Sequence, residues 1–174
     1  MNKELEFLIQ SNYIEREFSP EAIEDAEKTW IRMLEHACLS PGFVLEAHGI
    51  LMKRINPRIA GKWRDCDVWI GRDKKKFISK EVLESQVGDV CEKINNSILY
   101  PKAKSNKARE ELIKQLHVEF EEVHPFEDGN GRTGRIIMNW HRLRLGLPVL
   151  VIQADLRSGG REQLNYYKWF QESK

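Results

Sequence analysis

His124-Pro125-Phe126-Glu127-Asp128-Gly129-Asn130-Gly131-Arg132-Thr133-Gly134-Arg135 lies between two helical patterns, and the way it is read decides the fold. Upstream, Ala108, Leu112, Leu116, Phe120 and Val123 recur at spacings of four and three, which places them on one helical face. Pro125 disfavours helical backbone at His124 and so ends that helix. Downstream, Ile136, Ile137, Trp140, Leu143 and Leu147 resume an apolar helical pattern. Gly146 stands at its end and Pro148 blocks continuation. The stretch is therefore a loop that opens a helix. Gly129, Gly131 and Gly134 also satisfy G-x-G-x-x-G, but that dinucleotide pattern has to follow a strand, and a helix precedes it here. The Walker A pattern fails because no Gly-Lys-Ser/Thr follows.

The chemistry of the stretch is that of an anion site. Asp128-Gly129-Asn130-Gly131 offers backbone that can curl its N–H groups around phosphate. The helix N-terminus adds unpaired N–H groups and positive dipole at the same place. Arg132 and Arg135 are three apart, so both project from one side of its first turns, and each can fork onto phosphate oxygens. His124 supplies a group able to accept a proton near neutral pH. Taken singly, a histidine before proline or an Asp-Gly is a structural feature. Together, in this order, they point to a site for a nucleoside triphosphate.

The stretch resembles the motif of the Fic family, H-x-F-x-[DE]-G-N-G-R-x-x-R. Every defined position is met, by His124, Phe126, Asp128, Gly129, Asn130, Gly131, Arg132 and Arg135. The resemblance implies an all-α, mainly helical Fic/Doc-like bundle with one short β-hairpin flap, forming a single domain over residues 1–174. It implies a protein adenylyltransferase that moves AMP from ATP to a Ser, Thr or Tyr hydroxyl of a target protein. His124 would be the general base and Asp128 would hold Mg²⁺ across the phosphates. Gly129, Asn130 and Gly131 would form the anion loop, Arg132 and Arg135 would hold the β- and γ-phosphates, and Phe126 would anchor the loop in the core. Tyr166 and Tyr167 resemble the tyrosines lining the adenine pocket, although packing of a terminal amphipathic helix explains them equally well. Related enzymes use the same site to transfer UMP, phosphate or phosphocholine, or to remove AMP. A nucleotide-sensing module without turnover is the alternative of a different class, and the intact His124 argues against it.

Two further segments carry the resemblance. Gly61-Lys62-Trp63-Arg64 and Val68-Trp69-Ile70-Gly71 look like the flap, with a hairpin expected over 63–78 and an edge strand that binds the target's backbone. Ser11-Asn12-Tyr13-Ile14-Glu15-Arg16 resembles the inhibitory pattern [ST]-x-x-x-E-[GN], with Arg16 in place of Gly or Asn. The resemblance implies an inhibitory helix over about 1–18, with Ser11 near and Glu15 paired to Arg135, so that the arginine is withheld from the γ-phosphate.

The rest of the chain sets the frame. Its 174 residues suit one domain, and 41% hydrophobic with 32% charged residues is an ordinary globular composition. A net charge of +1 gives no general drive towards nucleic acid or anionic membrane. No apolar run approaches a membrane span, and no secretory leader is legible. Cys38, Cys66 and Cys91 form neither a disulfide framework nor a zinc pattern, so a cytoplasmic location with reduced thiols is expected. Helix starts are expected at Ser19-Pro20, Ser40-Pro41 and Ser105-Asn106, and His36, His48, His117 and His141 read as packing or surface residues. The expected partners are ATP and a target protein. The resemblance also allows a homo-oligomer.

Overall fold

Seven helices account for the body of the computed structural model, which describes residues 2–70, 76–155 and 161–172. They are α1 (Lys3–Ile14), α2 (Pro20–Glu35), α3 (Pro41–Met52), α4 (Leu83–Leu99), α5 (Asn106–Val123), α6 (Asn130–Arg144) and α7 (Arg161–Glu172). Their starts follow from local chemistry. The Ser19 hydroxyl accepts from the Ala22 N–H at 3.3 Å, Ser40 from Phe43 at 3.2 Å and Ser105 from Ala108 at 3.2 Å. Pro20 and Pro41 sit at the first helical position, where a missing N–H is harmless. Each such cap stabilises its helix by about 1 kcal/mol.

Helix α6 is the axis. Trp140 and Phe126 are fully buried, and Ile136 and Ile137 are almost so. Around this axis α5 packs on one side, while α1, α2, α3 and α4 close the others. One apolar cluster joins Leu8, Trp30, Leu51, Val87, Phe120 and Trp140 across six helices. A smaller one gathers Ile14, Ile113, Met138, Ile152 and Tyr166 under α7. Burying polar residues on the central helix requires partners. Asn139 finds them in both backbone groups of Leu150, donating at 3.1 Å and accepting at 2.6 Å.

The expectation of a β-hairpin flap over 63–78 is corrected, and the class is all-α. Trp63–Asp67 is not strand: Trp63 stacks on Phe126 with ring centroids 5.3 Å apart, and the Arg64 N–H donates to the Pro125 carbonyl at 3.0 Å. The segment is drawn onto the core because a tryptophan and a buried arginine find partners there. What extended pairing exists is three residues a side, β1 (Val68–Ile70) against β2 (Lys76–Ile78), antiparallel, too short to stand as a unit. The connection 71–75 lies outside the described residues. No described helix is long and apolar enough to cross a membrane.

Candidate active site

The site forms where α5 ends and α6 begins. The residue before a proline ordinarily takes extended backbone. His124 instead turns left-handed, with φ 49° and ψ 59°. Histidine tolerates this region better than most residues, at a conformational cost of about 1–3 kcal/mol. Three contacts hold it there. Its N–H donates to Phe120 at 3.3 Å, its carbonyl accepts from Arg64 Nε at 2.8 Å, and its Nδ1 lies 3.3 Å from the Glu121 carbonyl. A carbonyl can only accept, so Nδ1 carries the proton and Nε2 is left as the acceptor. Burial pushes the imidazole below its ordinary value, and the nearby Arg64 charge adds to that. The ring is therefore neutral at pH 7.

The loop that follows is fixed from beneath. Phe126 is fully buried and stacks on His48 at 3.7 Å with the rings 3° from parallel. Asn130 clasps it twice: Asn130 Oδ1 accepts from the Phe126 N–H at 2.9 Å, and Nδ2 donates to the Phe126 carbonyl at 2.8 Å. The Asn130 side chain is thus a staple of the loop, and its backbone is what faces an anion. Gly129 caps α6 in left-handed backbone at φ 82°. A Cβ there would lie 2.8 Å from Met52 Sδ and 3.1 Å from His48 Nε2. No side chain caps this helix end, so the amides of Asn130, Gly131 and Arg132 have no partner one turn back.

The two arginines differ. Arg132 is 3% exposed, and its Nε and one terminal nitrogen have no hydrogen-bond partner among the described residues. The other terminal nitrogen lies 3.4 Å from both oxygens of Asp128. Buried guanidinium N–H groups without acceptors are rare, because each unmade bond forfeits its desolvation cost. Arg135, equally buried, is engaged through two of its three guanidinium nitrogens. Its Nε donates to the Ser11 hydroxyl at 2.9 Å, and one terminal nitrogen donates to the Ser11 carbonyl at 3.0 Å and to Glu15 Oε1 at 2.6 Å. Its guanidinium lies 5.8 Å from the Tyr166 ring centre. Gly131 makes room for this contact, since a Cβ there would fall 2.5 Å from Glu15 Oε1.

The predicted residues therefore come together unevenly. Ser11 and Glu15 of the α1 end meet Arg135. Arg16 takes left-handed backbone, φ 61°, where Gly or Asn fits best. Tyr166 is 3% exposed, its hydroxyl 2.9 Å from His117 Nε2 and its ring packed by Trp169 and Phe170, so it backs Arg135 and presents no open face. Tyr167 is 41% exposed on α7. Asp128 is well exposed, with the Gly129 N–H donating to its Oδ1 at 2.6 Å.

Sequence reading passed over four residues here. His48 and Arg64 grip the loop from 80 and 60 positions away in sequence. His117 and Glu121 lie beneath Gly134, whose absent side chain admits them: a Cβ there would meet Glu121 Oε1 at 2.1 Å and His117 Cε1 at 3.1 Å. Glu121 is half-buried as a residue, yet its Oε1 is buried without a hydrogen-bond partner among the described residues, and burial pushes the carboxyl up to about 7. No spacing rule in the sequence marks any of the four.

Comparison with known proteins extends this geometry. The Fic/DOC family model matches residues 38–141. "Protein adenylyltransferase fic-1" of Caenorhabditis elegans is 29% identical over 127 residues, which is 71% of this chain and 23% of that protein. "Protein adenylyltransferase Fic" of Nematostella vectensis is 28% identical over 148 residues, 83% of this chain and 32% of that one. The chain thus spans about a quarter to a third of the length of these curated relatives. Among solved structures, a Fic domain containing signaling protein from Bacteroides thetaiotaomicron has a TM-score of 0.75 at 20% identity, covering 97% of this chain and 70% of that one. Fic-1 (aa134–508) from C. elegans has a TM-score of 0.73 at 20% identity, over 97% and 56%. These two share the fold.

Proposed function

The chain belongs to the Fic/DOC family, and on that premise we propose that it is a protein adenylyltransferase restrained by its own α1. The observation that carries the reading is Arg132: buried, cationic, with two unpartnered nitrogens, beside an uncapped helix N-terminus. That is a site short of an anion. Four curated relatives or more bear the same activity in their names, among them those of C. elegans and N. vectensis.

The reaction runs as follows. ATP lays its phosphates along the amides of Gly129, Asn130 and Gly131, with Arg132 on their oxygens. The target's hydroxyl oxygen attacks the α-phosphorus, and its proton passes to His124 Nε2. The new bond is oxygen to α-phosphorus, the bond that breaks joins α-phosphorus to the bridging oxygen, and pyrophosphate leaves. Neutral His124 suits this, because its depressed basicity keeps the ring unprotonated at pH 7. Asp128 is the carboxylate that would hold Mg²⁺. No cluster of three or more metal-ligating side chains occurs among the described residues, but Mg²⁺ commonly needs only one or two carboxylates when it arrives with phosphate. When bound, it neutralises phosphate charge.

Restraint follows from competition. A carboxylate on Arg135 occupies the fork that a γ-phosphate would need and repels that phosphate. Glu15 is held by one terminal nitrogen at 2.6 Å and is about one-third exposed, so it is within reach of displacement.

Intact mass and labelled-nucleotide transfer with ATP and Mg²⁺ test the reading, for wild type, Glu15→Gly and His124→Ala, with cell lysate as a source of targets. The expected result is an added AMP in Glu15→Gly, less in wild type and none in His124→Ala. ATP binding without transfer by any variant would reject the transferase in favour of a nucleotide-sensing module. Transfer of a different nucleotide, or removal of AMP, would keep the site and change the reaction.

A further inference from the structure

We propose that Arg64 and His48 are positioning residues that grip the two ends of the 124–128 loop, Arg64 setting the proton acceptor and His48 setting the phosphate end. The inference rests on the transferase reading for its kinetic consequences, and on geometry alone for the gripping.

Arg64 is 3% exposed and lies in the loop that returns towards the core after α3. Its Nε donates to the His124 carbonyl at 2.8 Å, and its backbone N–H donates to the next carbonyl, Pro125, at 3.0 Å. A terminal nitrogen also donates to the Cys66 carbonyl, which fixes the guanidinium plane. Two consecutive carbonyls of the loop are thus held by one residue. His124 is left-handed at φ 49°, a backbone state that persists only where neighbours impose it. Rotation of this peptide would swing the imidazole away from Glu121 and release the tautomer that leaves Nε2 free.

His48 works at the other end. It is fully buried, and its Nδ1 accepts from the Gly61 N–H at 3.1 Å. Nε2 therefore carries the proton and donates to the Asp128 carbonyl at 3.0 Å. The His48 ring also stacks on Phe126 at 3.7 Å. A Cβ on Gly129 would lie 3.1 Å from Nε2, so His48 sits directly beneath the amides of the anion loop. Gly49 and Gly61 bring the two grips together. A Cβ on either would lie 3.4 Å from the other's Cα, a spacing that lets the chain carrying Arg64 fold back onto α3.

The two ends predict different kinetic signatures, which a generally softened fold would not give. The parent is Glu15→Gly, assayed for AMP transfer across ATP concentration. Arg64→Ala should lower kcat about 10- to 100-fold, with the KM for ATP within about twofold, because misplacing a reacting group by about 1 Å has effects of that size. Arg64→Lys retains one donor and should recover part of the loss. His48→Phe keeps the stacking, removes both hydrogen bonds, and should raise the KM for ATP about tenfold with a smaller change in kcat, as expected when ground-state binding is what is lost. Nitrogen-15 imidazole shifts give a second readout without turnover. His124 should be a single neutral tautomer with Nδ1 protonated in the parent, and a mixture in Arg64→Ala. The Arg64 claim is overturned by an unchanged His124 tautomer in Arg64→Ala, or by a kcat loss that follows lost thermal stability and that Lys does not relieve. The His48 claim is overturned by an unchanged KM in His48→Phe. If the parent itself transfers nothing, the transferase reading fails. The His124 tautomer in Arg64→Ala and the Asp128–Gly129 amide shift in His48→Phe then decide the gripping alone, an unchanged tautomer or an unmoved shift overturning the respective grip.

Discussion

Arg132 and Arg135 stand three residues apart on one helix, are equally buried, and are partnered differently. Arg132 has two nitrogens without partners among the described residues. Arg135 is held through Nε and one terminal nitrogen by Ser11 and Glu15, from the far end of the sequence. The difference teaches that identical residues in one motif acquire their roles from what reaches them. Arg132 meets only the exposed Asp128 carboxylate at 3.4 Å and leaves two nitrogens unpartnered among the described residues, whereas Arg135 holds the Glu15 carboxylate at 2.6 Å.

Four substitutions would break or sharpen that contrast. The largest effect is expected from Arg132→Ala in a Glu15→Gly background. Losing a charge-assisted fork on phosphate should lower kcat/KM by about 100-fold or more, at roughly 3 kcal/mol. Little change by steady-state kinetics would mean that Arg132 is structural. Next, Glu15→Gly alone should raise AMP transfer by about tenfold or more, since an anion competing for Arg135 is removed. Isothermal titration should show tighter ATP binding, and equal activity of variant and wild type would reject the restraint.

The third concerns the floor beneath Arg135. The Glu121 carboxyl is pushed up to about 7 by burial, so the folded state holds its proton where the unfolded chain has released it. Glu121 thus contributes stability that is full below the ordinary carboxylate value and is lost as pH rises through about 7. Glu121→Gln cannot ionise. Its melting temperature relative to wild type should rise by several degrees between pH 5 and pH 8. A difference that is flat with pH would show that Arg135 and its neighbours keep the carboxylate charged. The smallest effect is expected at the hinge. Arg16 holds φ 61°, so Arg16→Gly should stabilise the fold by about 1 kcal/mol and seat Glu15 more firmly, lowering basal transfer. Denaturant melts and the basal rate check both halves.

The legibility of the chain divides along the same line as the arginines. Ser19, Ser40 and Ser105 announce their helices because a cap is a contact over three residues. The motif between α5 and α6 is legible because its helix stop, its glycine turn and its helix start are all local. The expected flap departs from the structure for the opposite reason. Alternation near Val68 and Ile70 is real, but Trp63 and Arg64 answer to Phe126, His124 and Pro125, and no local pattern says so. Tyr166 reads from sequence equally as an adenine-pocket residue, by resemblance, and as packing of a terminal helix, and its ring packs behind Arg135.

The sequence by itself determined the helical class, the glycine-rich loop with its histidine and arginines at the start of a helix, and a serine–glutamate pair at the spacing of one helical turn. Only the tertiary structure decided that Arg132 keeps two nitrogens unpartnered while Arg135 is held by Ser11 and Glu15, that His48 and Arg64 contact the loop, and that burial pushes the Glu121 carboxyl up to about 7. The reason is the range of the forces. Caps, turns and helical periodicity act over a few residues and leave their mark in the order of the chain. A buried hydrogen bond is set by geometry between segments up to 124 residues apart, and its strength comes from the exclusion of water that only the packed fold provides.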